Sequence, residues 1–343
     1  MDLLPSEEQD EITNTVRAQL ESDFAMSDLA ARDRTDQVID DALWQRCAEL
    51  GWFALGIPEA SGGVGYGLVE EALLFEQLGR HATPGPFLAT VLAAHVAAAT
   101  GADEVLGGIL AGTTRVALAE AEPPPPGEPE VVPGTIRVRV TDYGGADVLA
   151  YLNGSTSTLL EAAMVEPSVE APLDPLVPLA SALIEPAGGA AITTLDSSSL
   201  ALRATVLLSA QLAGIAKATT EQSVEYVKDR EQFGRPVGSF QAVKHRCADM
   251  AVRADAALQL TRLAALAVEG GHDDAGFQAE AARVVANDAA VTNAEINVQN
   301  HGGIGFTYEH TAHRYVTRSR VLACTAGTRT DHLAKLLGAS SDR

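Results

Sequence analysis

The sequence is poor in cysteine, and it has neither a leader-like start nor a long apolar run. Its three cysteines, Cys47, Cys247 and Cys324, are far apart and odd in number, which fits neither a disulfide framework nor a zinc site. The first eight residues have no basic region and no apolar core, unlike a signal peptide. No apolar run looks long enough to span a bilayer. These absences predict a cytoplasmic protein with reduced, buried thiols.

Basic side chains are also scarce. There are 24 lysines and arginines against 46 aspartates and glutamates, which gives a formal net charge of −22. A surface this acidic repels nucleic acid and anionic membranes, so we expect neither as a partner. An anionic ligand is not excluded, but its phosphates would need a few placed arginines and backbone amides. The simpler interpretation of the charge is a soluble surface.

Hydrophobic spacing divides the 343 residues into three predicted segments. Residues 1–112 have helical periodicity, residues 113–200 form a small β region, and residues 201–343 form a helical bundle. The predicted fold class is therefore α+β, mainly α. No GxGxxG run follows a predicted strand, which disfavours a dinucleotide-binding domain of the Rossmann type.

Strand and helix boundaries follow from local patterns. A helical run from Leu68 to Leu78 is predicted to stop at Gly79, because glycine is frequent at helix ends. Residues 164–199 contain several prolines and small residues in an irregular pattern. Three stretches alternate as strands do: Arg115–Ala121, Thr135–Val140 and Val148–Leu152.

One run in the last segment combines the groups that nucleotides need. Residues 230–236 read Arg-Glu-Gln-Phe-Gly-Arg-Pro, and Gln241 follows. The run joins a helix to a tight turn and presents a cation, two amides and an aromatic ring. Such groups hold phosphates and stack a base. Alone, the run is equally compatible with an ordinary corner between two helices.

A second run favours the nucleotide interpretation. Residues 299–306 read Gln-Asn-His-Gly-Gly-Ile-Gly-Phe. Glycine lets a phosphate approach the main chain closely, so Gly302 and Gly303 fit a phosphate turn. The alternative for this pair is a plain helix C-cap.

The order of the segments and these motifs together resemble the acyl-CoA dehydrogenase family over nearly the whole chain. The resemblance implies an N-terminal helical domain, a small, truncated β domain and a C-terminal four-helix bundle. The runs that carry it are Leu50-Gly51-Trp52, Ile57-Pro58-Glu59, Glu76–Arg80, Arg230–Gly234, Gln241–His245 and Gln299–Phe306.

The same resemblance implies FAD at a subunit interface, with its ADP half held by the C-terminal bundle of the neighbouring subunit. By this resemblance Arg230 would bind the pyrophosphate and Phe233 would lie against the adenine side. The residues carried over to the ADP half are Arg230, Gln232, Phe233, Gln241, Gln299, Gly302 and Gly303.

The catalytic base that the family requires is not evident. The implied reaction is α,β-dehydrogenation of an acyl-CoA thioester, in which a carboxylate removes the α proton. The two positions where the family places that carboxylate hold Ala204 and Ala326. Glu309 is the nearest remaining acid. Its default interpretation is structural, as a partner of Arg314 or Arg318 or as a helix cap.

Two further features concern the site: the first argues against the hypothesis of a self-sufficient enzyme, and the second concerns metal binding. The segments 119–123 and 140–144 resemble eroded remnants of the family's flavin-ring segments. His301, His310 and His313 are close in sequence, but their spacing matches no metal motif, so packed or solvated histidines are expected.

We therefore predict the smaller subunit of an α2β2 heterotetrameric acyl-CoA dehydrogenase that acts on steroid side-chain CoA thioesters. It would complete the FAD site of a larger, catalytic partner, with an electron-transfer flavoprotein as the expected acceptor. One alternative is a self-sufficient acyl-CoA dehydrogenase with Glu309 as its base. Another is a scaffold of the same fold without FAD.

Overall fold

Contacts between residues divide the chain into two compact units. The computed structural model describes residues 5–25, 38–123 and 133–341. The first unit comprises residues 1–30, 68–83 and 205–343, and the second comprises residues 31–67 and 84–204. Each unit draws on more than one of the predicted segments, so the division after residues 112 and 200 stays a prediction.

The described residues form ten α-helices and a seven-stranded sheet. The helices are α1 (Glu7–Asp23), α2 (Asp41–Glu49), α3 (Leu68–Arg80), α4 (Phe87–Thr100), α5 (Asp103–Leu110), α6 (Ser198–Asp229), α7 (Gln241–Glu269), α8 (Ala275–His301), α9 (Ala312–Cys324) and α10 (Arg329–Ser341). The strands are β1 (Val116–Ala121), β2 (Ile136–Thr141), β3 (Val148–Asn153), β4 (Thr156–Glu161), β5 (Ser168–Glu170), β6 (Leu179–Ile184) and β7 (Ala191–Asp196).

The first unit is a helical bundle in which α3 and α6 approach closely. Gly79 lies inside α3, so the prediction that it ends the helix is wrong. A Cβ atom on Gly79 would lie 1.8 Å from the carbonyl oxygen of Gln211 in α6, and one on Gly214 would lie 2.1 Å from that of Glu76. The two glycines therefore mark a crossing of two helices, where no side chain fits.

The end of α3 is fixed by α9 within the same unit. The hydroxyl of Tyr315 donates to the carbonyl of Arg80 over 2.7 Å. Arg318 donates to the carbonyl of Thr83 over 2.5 Å. Burial raises the pKa of Tyr315 far above its usual value, so this hydroxyl keeps its proton and remains a donor.

The second unit is built on the sheet, whose order is β5-β6-β2-β1-β3-β4-β7. Only β1 and β3 pair in parallel among these strands. The helix α4 packs on β1, β3, β4 and β7. One face of the sheet carries the apolar cluster Ala117, Ala119, Val138, Val140, Leu149, Tyr151, Leu160, Ala182 and Ile184.

Three of the seven strands match the sequence prediction. The predicted strands are confirmed as β1, β2 and β3. Residues 164–199, where the sequence pattern is irregular, contain β5, β6 and β7, which lie within the predicted β region of residues 113–200. In β6 the inward positions are Ala180, Ala182 and Ile184, and the two alanines give a weak strand signal. Pairing with β2 supplies their hydrogen bonds.

Within the described part of the chain, α6 has the length and composition of a membrane-spanning helix. The expectation that no apolar run is long enough was too strict. However, 78% of the apolar window is buried inside the protein, which is typical of a core helix. The helix is therefore apolar because it lies in the interior of the fold.

Candidate nucleotide-binding site

The Arg230 run forms a corner between α6 and α7. The two-residue strand Glu231–Gln232 pairs with Arg235–Pro236, and Phe233 and Gly234 make the turn between them. Both turn residues have positive φ, +56° and +78°, as a tight hairpin turn requires. Glycine adopts this conformation freely, whereas a phenylalanine there costs about 1–3 kcal/mol.

The strained residue presents its ring to the outside. The side chain of Phe233 is 92% exposed. Its ring makes an edge contact with Phe240 at 6.1 Å between centroids. An exposed aromatic ring held in a strained conformation returns little stability to this chain. That combination is typical of a ligand contact.

Arg230 lies at the start of the corner and is exposed. Its carbonyl accepts from the amide of Val237 over 2.7 Å. Among the residues that the structure describes, no acceptor pairs with its guanidinium. The cation is therefore available to a phosphate.

The two glutamines of the corner are also exposed. The amide of Gln232 donates to the adjacent carbonyl of Glu231 over 2.8 Å. Gln241 is the first residue of α7, and Phe240 before it gives no side-chain cap. The amides of Val243 and Lys244 donate to the carbonyl of Phe240. Among the described residues the amides of Gln241 and Ala242 have no such acceptor, which favours negative charge near this helix end.

The second run ends α8 in a glycine turn. Gly302 is the C-cap of α8, with φ +64° and ψ −141°, a conformation almost restricted to glycine. The C-cap interpretation of this residue is confirmed. A Cβ atom on Gly302 or on Gly303 would meet no atom within 4 Å. The turn is open as well as capping, and Gln299 on the last turn of α8 is exposed.

The two runs lie at the same end of the bundle. The ring of Tyr226 in α6 stacks on that of His301 at 4.3 Å. Arg246 in α7 donates to the side-chain oxygen of Asn300 over 2.9 Å. These contacts place the corner and the glycine turn, which together carry the seven predicted binding residues, at the same end of the bundle in the first unit.

The sequence analysis missed the contact residues Tyr226, Arg246 and Asn300. The available signal was their spacing. Tyr226 precedes Arg230 by one helical turn, and Asn300 precedes the glycine pair. Residues one turn apart lie on the same face of a helix, so a position one turn before a motif adjoins it.

The histidines are packed side chains. His301 is 4% exposed, and its Nδ1 lies 2.8 Å from the carbonyl of Asn297. The ring centroids of His301 and His310 lie 4.2 Å apart, and Nδ1 of His310 accepts from the amide of Ala312. Burial lowers the pKa of both rings. No group of three or more potential metal ligands occurs in the described residues.

The two positions predicted for the family's catalytic base, Ala204 and Ala326, carry no acid. Ala204 is buried in α6. Ala326 has φ +57° in the turn between α9 and α10. The fully buried Arg283 donates from Nη2 to the carbonyls of Leu322 and Thr325, each over 2.7 Å. Arg283 thus stabilises the turn through backbone carbonyls, whereas the side chain of Ala326 in the turn is only a methyl group.

Glu309 has neither of its predicted structural partners. Arg318 donates to Thr83 instead, and α9 has no side-chain cap. Glu309 is exposed and forms no ion pair within the described residues. The prediction of pairing or capping is wrong, because Arg318 contacts the interior of the bundle instead of Glu309. As a base, Glu309 would lack the dry surroundings that tune a carboxylate.

Comparison with known proteins identifies the family. The chain matches the profile "Acyl-CoA dehydrogenase, N-terminal domain" over residues 6–114 and "Acyl-CoA dehydrogenase, C-terminal domain" over residues 200–336. It is 33% identical over 324 residues to acyl-CoA dehydrogenase IpdE2 of Mycobacterium tuberculosis, and the alignment covers 92% of each protein. The chain belongs to the acyl-CoA dehydrogenase family.

Solved structures of acyl-CoA dehydrogenases share the fold along the whole chain. The ChsE4–ChsE5 complex from Mycobacterium tuberculosis superposes with a TM-score of 0.85 at 24% identity and covers 100% of both chains. A variant of the Tcur3481–Tcur3483 steroid ACAD gives a TM-score of 0.83 at 24% identity, covering 98% of each chain. The predicted fold class is thereby confirmed.

Acyl-CoA dehydrogenases are oxidoreductases with FAD as cofactor. The corner and the glycine turn fit the ADP half of FAD. Arg230 offers a cation that has no partner among the described residues, Phe233 offers an exposed ring, and Gly302 offers an open approach to the main chain. These are the groups that a pyrophosphate and a base require.

Proposed function

We propose that this chain is the smaller subunit of a heteromeric acyl-CoA dehydrogenase and completes the FAD site of a larger, catalytic subunit. The observation that carries the proposal is the contrast between two places. The corner presents an unpaired Arg230 beside a strained, exposed Phe233. The positions of the catalytic base hold Ala204 and Ala326, which cannot accept a proton.

In this proposal the residues of this chain bind and orient. Arg230 neutralises the pyrophosphate, and Gln232 and Gln241 add polar contacts beside it. Phe233 stacks on the adenine. FAD, when bound, supplies the hydride acceptor of the dehydrogenation. The carboxylate that takes the α proton comes from the larger subunit.

The glycine turn gives the same nucleotide a second contact. Gly302 and Gly303 let the phosphates approach the backbone, and Gln299 offers an amide beside them. A Cβ atom on either glycine would find open space.

The proposed substrate is a steroid side-chain CoA thioester, and the proposed assembly is α2β2. One similar structure is a steroid ACAD and another is a complex of two named chains. An assembly with half the usual number of active sites leaves more room at each one, which suits a bulky polycyclic acyl group. We propose an electron-transfer flavoprotein as the electron acceptor.

The test is an arginine substitution in the complex purified with its larger partner. Arg230→Ala should weaken FAD binding about 10- to 100-fold, since a hydrogen bond to a charged group contributes about 1.5–3 kcal/mol. Arg329→Ala is the matched control. It removes an exposed arginine of the same unit that pairs with Asp288, and FAD affinity should not change. Equal FAD affinity in the two variants would contradict the proposal and favour a scaffold without FAD.

A further inference from the structure

Polar side chains join α6 to α8 in the interior of the bundle. The amide of Asn293 donates to the hydroxyl of Thr220 over 3.2 Å. One turn further along, the hydroxyl of Ser223 donates to the side-chain oxygen of Asn297 over 2.8 Å. All four residues are buried. Buried polar groups need such partners, so each pair fixes how the two helices face each other.

The pairs Thr220–Asn293 and Ser223–Asn297 form a ladder between α6 and α8, and its third and last pair is aromatic. Tyr226 in α6 stacks on His301 in α8 at 4.3 Å. On its other side, the ring of His301 lies 4.2 Å from His310. Its Nδ1 is 2.8 Å from the carbonyl of Asn297, the previous member of the ladder. The imidazole is therefore held between two rings and tied to the helix below it.

The spacing of the ladder matches one helical turn a step on both helices. The steps are three residues in α6 and four in α8, and a turn contains 3.6. The last pair lies directly before the two nucleotide runs, since Arg230 is one turn beyond Tyr226 and Gly302 follows His301. A slip of one turn would move the runs apart by about 5 Å.

We infer that His301 is a positioning residue, which sets the glycine turn at the height of the Arg230 corner so that both meet one dinucleotide. The inference rests on the proposed FAD contact. The amide of Gly302 donates to carbonyls in the last turn of α8, but Gly302 has no side chain that could tie it to another helix. The residue before it must therefore fix where the chain leaves α8, and the clamped ring of His301 does so.

An ordinary core histidine would have a different effect. It would stabilise the bundle in the same way as the other pairs of the ladder. Asn293 provides the comparison, because it makes more hydrogen bonds than His301 but lies two steps from the nucleotide runs. A positioning role separates FAD affinity from stability, and a purely structural role does not.

The experiment compares His301→Leu, His301→Phe and Asn293→Ala in the complex with the larger subunit. The affinity for FAD and the thermal midpoint are measured for each. His301→Leu should weaken FAD binding about 3- to 10-fold, the range expected for loss of aromatic stacking. His301→Phe keeps a ring between Tyr226 and His310 and should restore most of that affinity. Asn293→Ala should lower the midpoint and leave FAD affinity unchanged.

Three results would overturn the inference. In the first, His301→Leu binds FAD like the unaltered complex while Arg230→Ala does not, and the proposed function then survives. In the second, Asn293→Ala loses as much FAD affinity as His301→Leu. In the third, Arg230→Ala also leaves FAD binding unchanged, which overturns the proposed function too. Should His301→Leu fail to assemble, Tyr226→Leu removes the other ring of the stack and is expected to give the same loss.

Discussion

The nucleotide corner and the turn at 325–328 differ in what they have kept. The corner presents its side chains outward: Phe233 is exposed, and Arg230 has no partner in the part of the chain that the structure describes. The turn keeps its backbone shape, supported by Arg283 through two carbonyl groups, but Ala326 offers only a methyl group. Backbone support and functional side chain are therefore separable in this protein. A carboxylate can be absent while the turn that would present it remains in place.

The two regions also differ in what offsets their backbone strain. Phe233 and Ala326 both have positive φ, which costs about 1–3 kcal/mol at each residue. In the turn, the hydrogen bonds of Arg283 to two carbonyls offset that cost, whereas the exposed ring of Phe233 regains little of it within the chain. Strain with so little return within the chain indicates an external ligand at the corner.

The largest effect is expected from Arg283→Met, which removes the support of the turn. Two buried carbonyls lose their donor, and the free energy of unfolding should fall by about 3 kcal/mol or more. Urea unfolding measures this loss. FAD affinity in the folded complex should stay within about twofold, because the turn carries no binding group. If Arg283→Met lost FAD binding but kept its free energy of unfolding, the turn would be the binding region, and the prediction would be contradicted.

Gly302→Ala should have a smaller effect on stability and a clear effect on binding. The positive φ makes alanine strained there by about 1–3 kcal/mol, and the new methyl group would occupy the open space of the turn. Gly271→Ala is the matched control, since Gly271 has φ +60° and equally open surroundings outside the nucleotide region. Equal stability losses with FAD weakened only by Gly302→Ala are predicted. Equal FAD affinities would show that the turn does not meet the nucleotide.

A pH dependence of stability should follow from the packed histidines. Burial lowers the pKa of His301, and burial followed by the neighbouring His301 and His313 lowers that of His310. In the unfolded chain these histidines bind protons at their ordinary pKa of about 6.5, which is above their lowered pKa in the folded protein. The free energy of unfolding is therefore highest above that pH, and it falls as the pH decreases from there through the lowered pKa.

The measurement is the urea midpoint between pH 7.5 and pH 5.5, for the unaltered chain and His301→Phe. Part of the slope should disappear in the variant, which has no titrating group at this position. His81 also has a pKa lowered chiefly by burial, so a residual slope is expected. An unchanged slope would show that His301 does not contribute to it.

The smallest effect is expected from Glu309→Gln. The side chain is exposed and has no partner among the described residues. Flavin reduction by an acyl-CoA in the complex should change by less than about twofold, as is usual for a surface substitution. Rapid-mixing absorbance of the flavin measures the rate. Abolished reduction would make this chain the catalytic subunit and remove the contrast between the two regions.

The candidate binding residues and the sheet were predicted on different grounds. Arg230, Phe233 and Gly302 were selected by the resemblance of their runs to family motifs, and their binding role stays a prediction. The strand β6 carries Ala180 and Ala182 at its inward positions, and only pairing with distant strands makes it a strand. Local patterns do not contain that information.

Two errors have the same origin. Gly79 was assigned as a helix end, since the close approach of Gln211 in another helix is not visible in the sequence. Glu309 was assigned to the arginines nearest along the chain, but Arg318 donates to Thr83 on a separate element. In both cases the deciding contact lies more than a hundred residues away. The motif residues needed no such contact to be found.

The central claim is that this chain supplies half of an FAD site and thereby completes the FAD site of a larger partner. The most direct test is the ratio of FAD to polypeptide, measured for the chain alone and for the complex purified with that partner. We predict no tightly bound FAD in the chain alone and about half as many FAD molecules as chains in the complex. A yellow assembly of this chain alone, with one FAD for each chain, would contradict the claim.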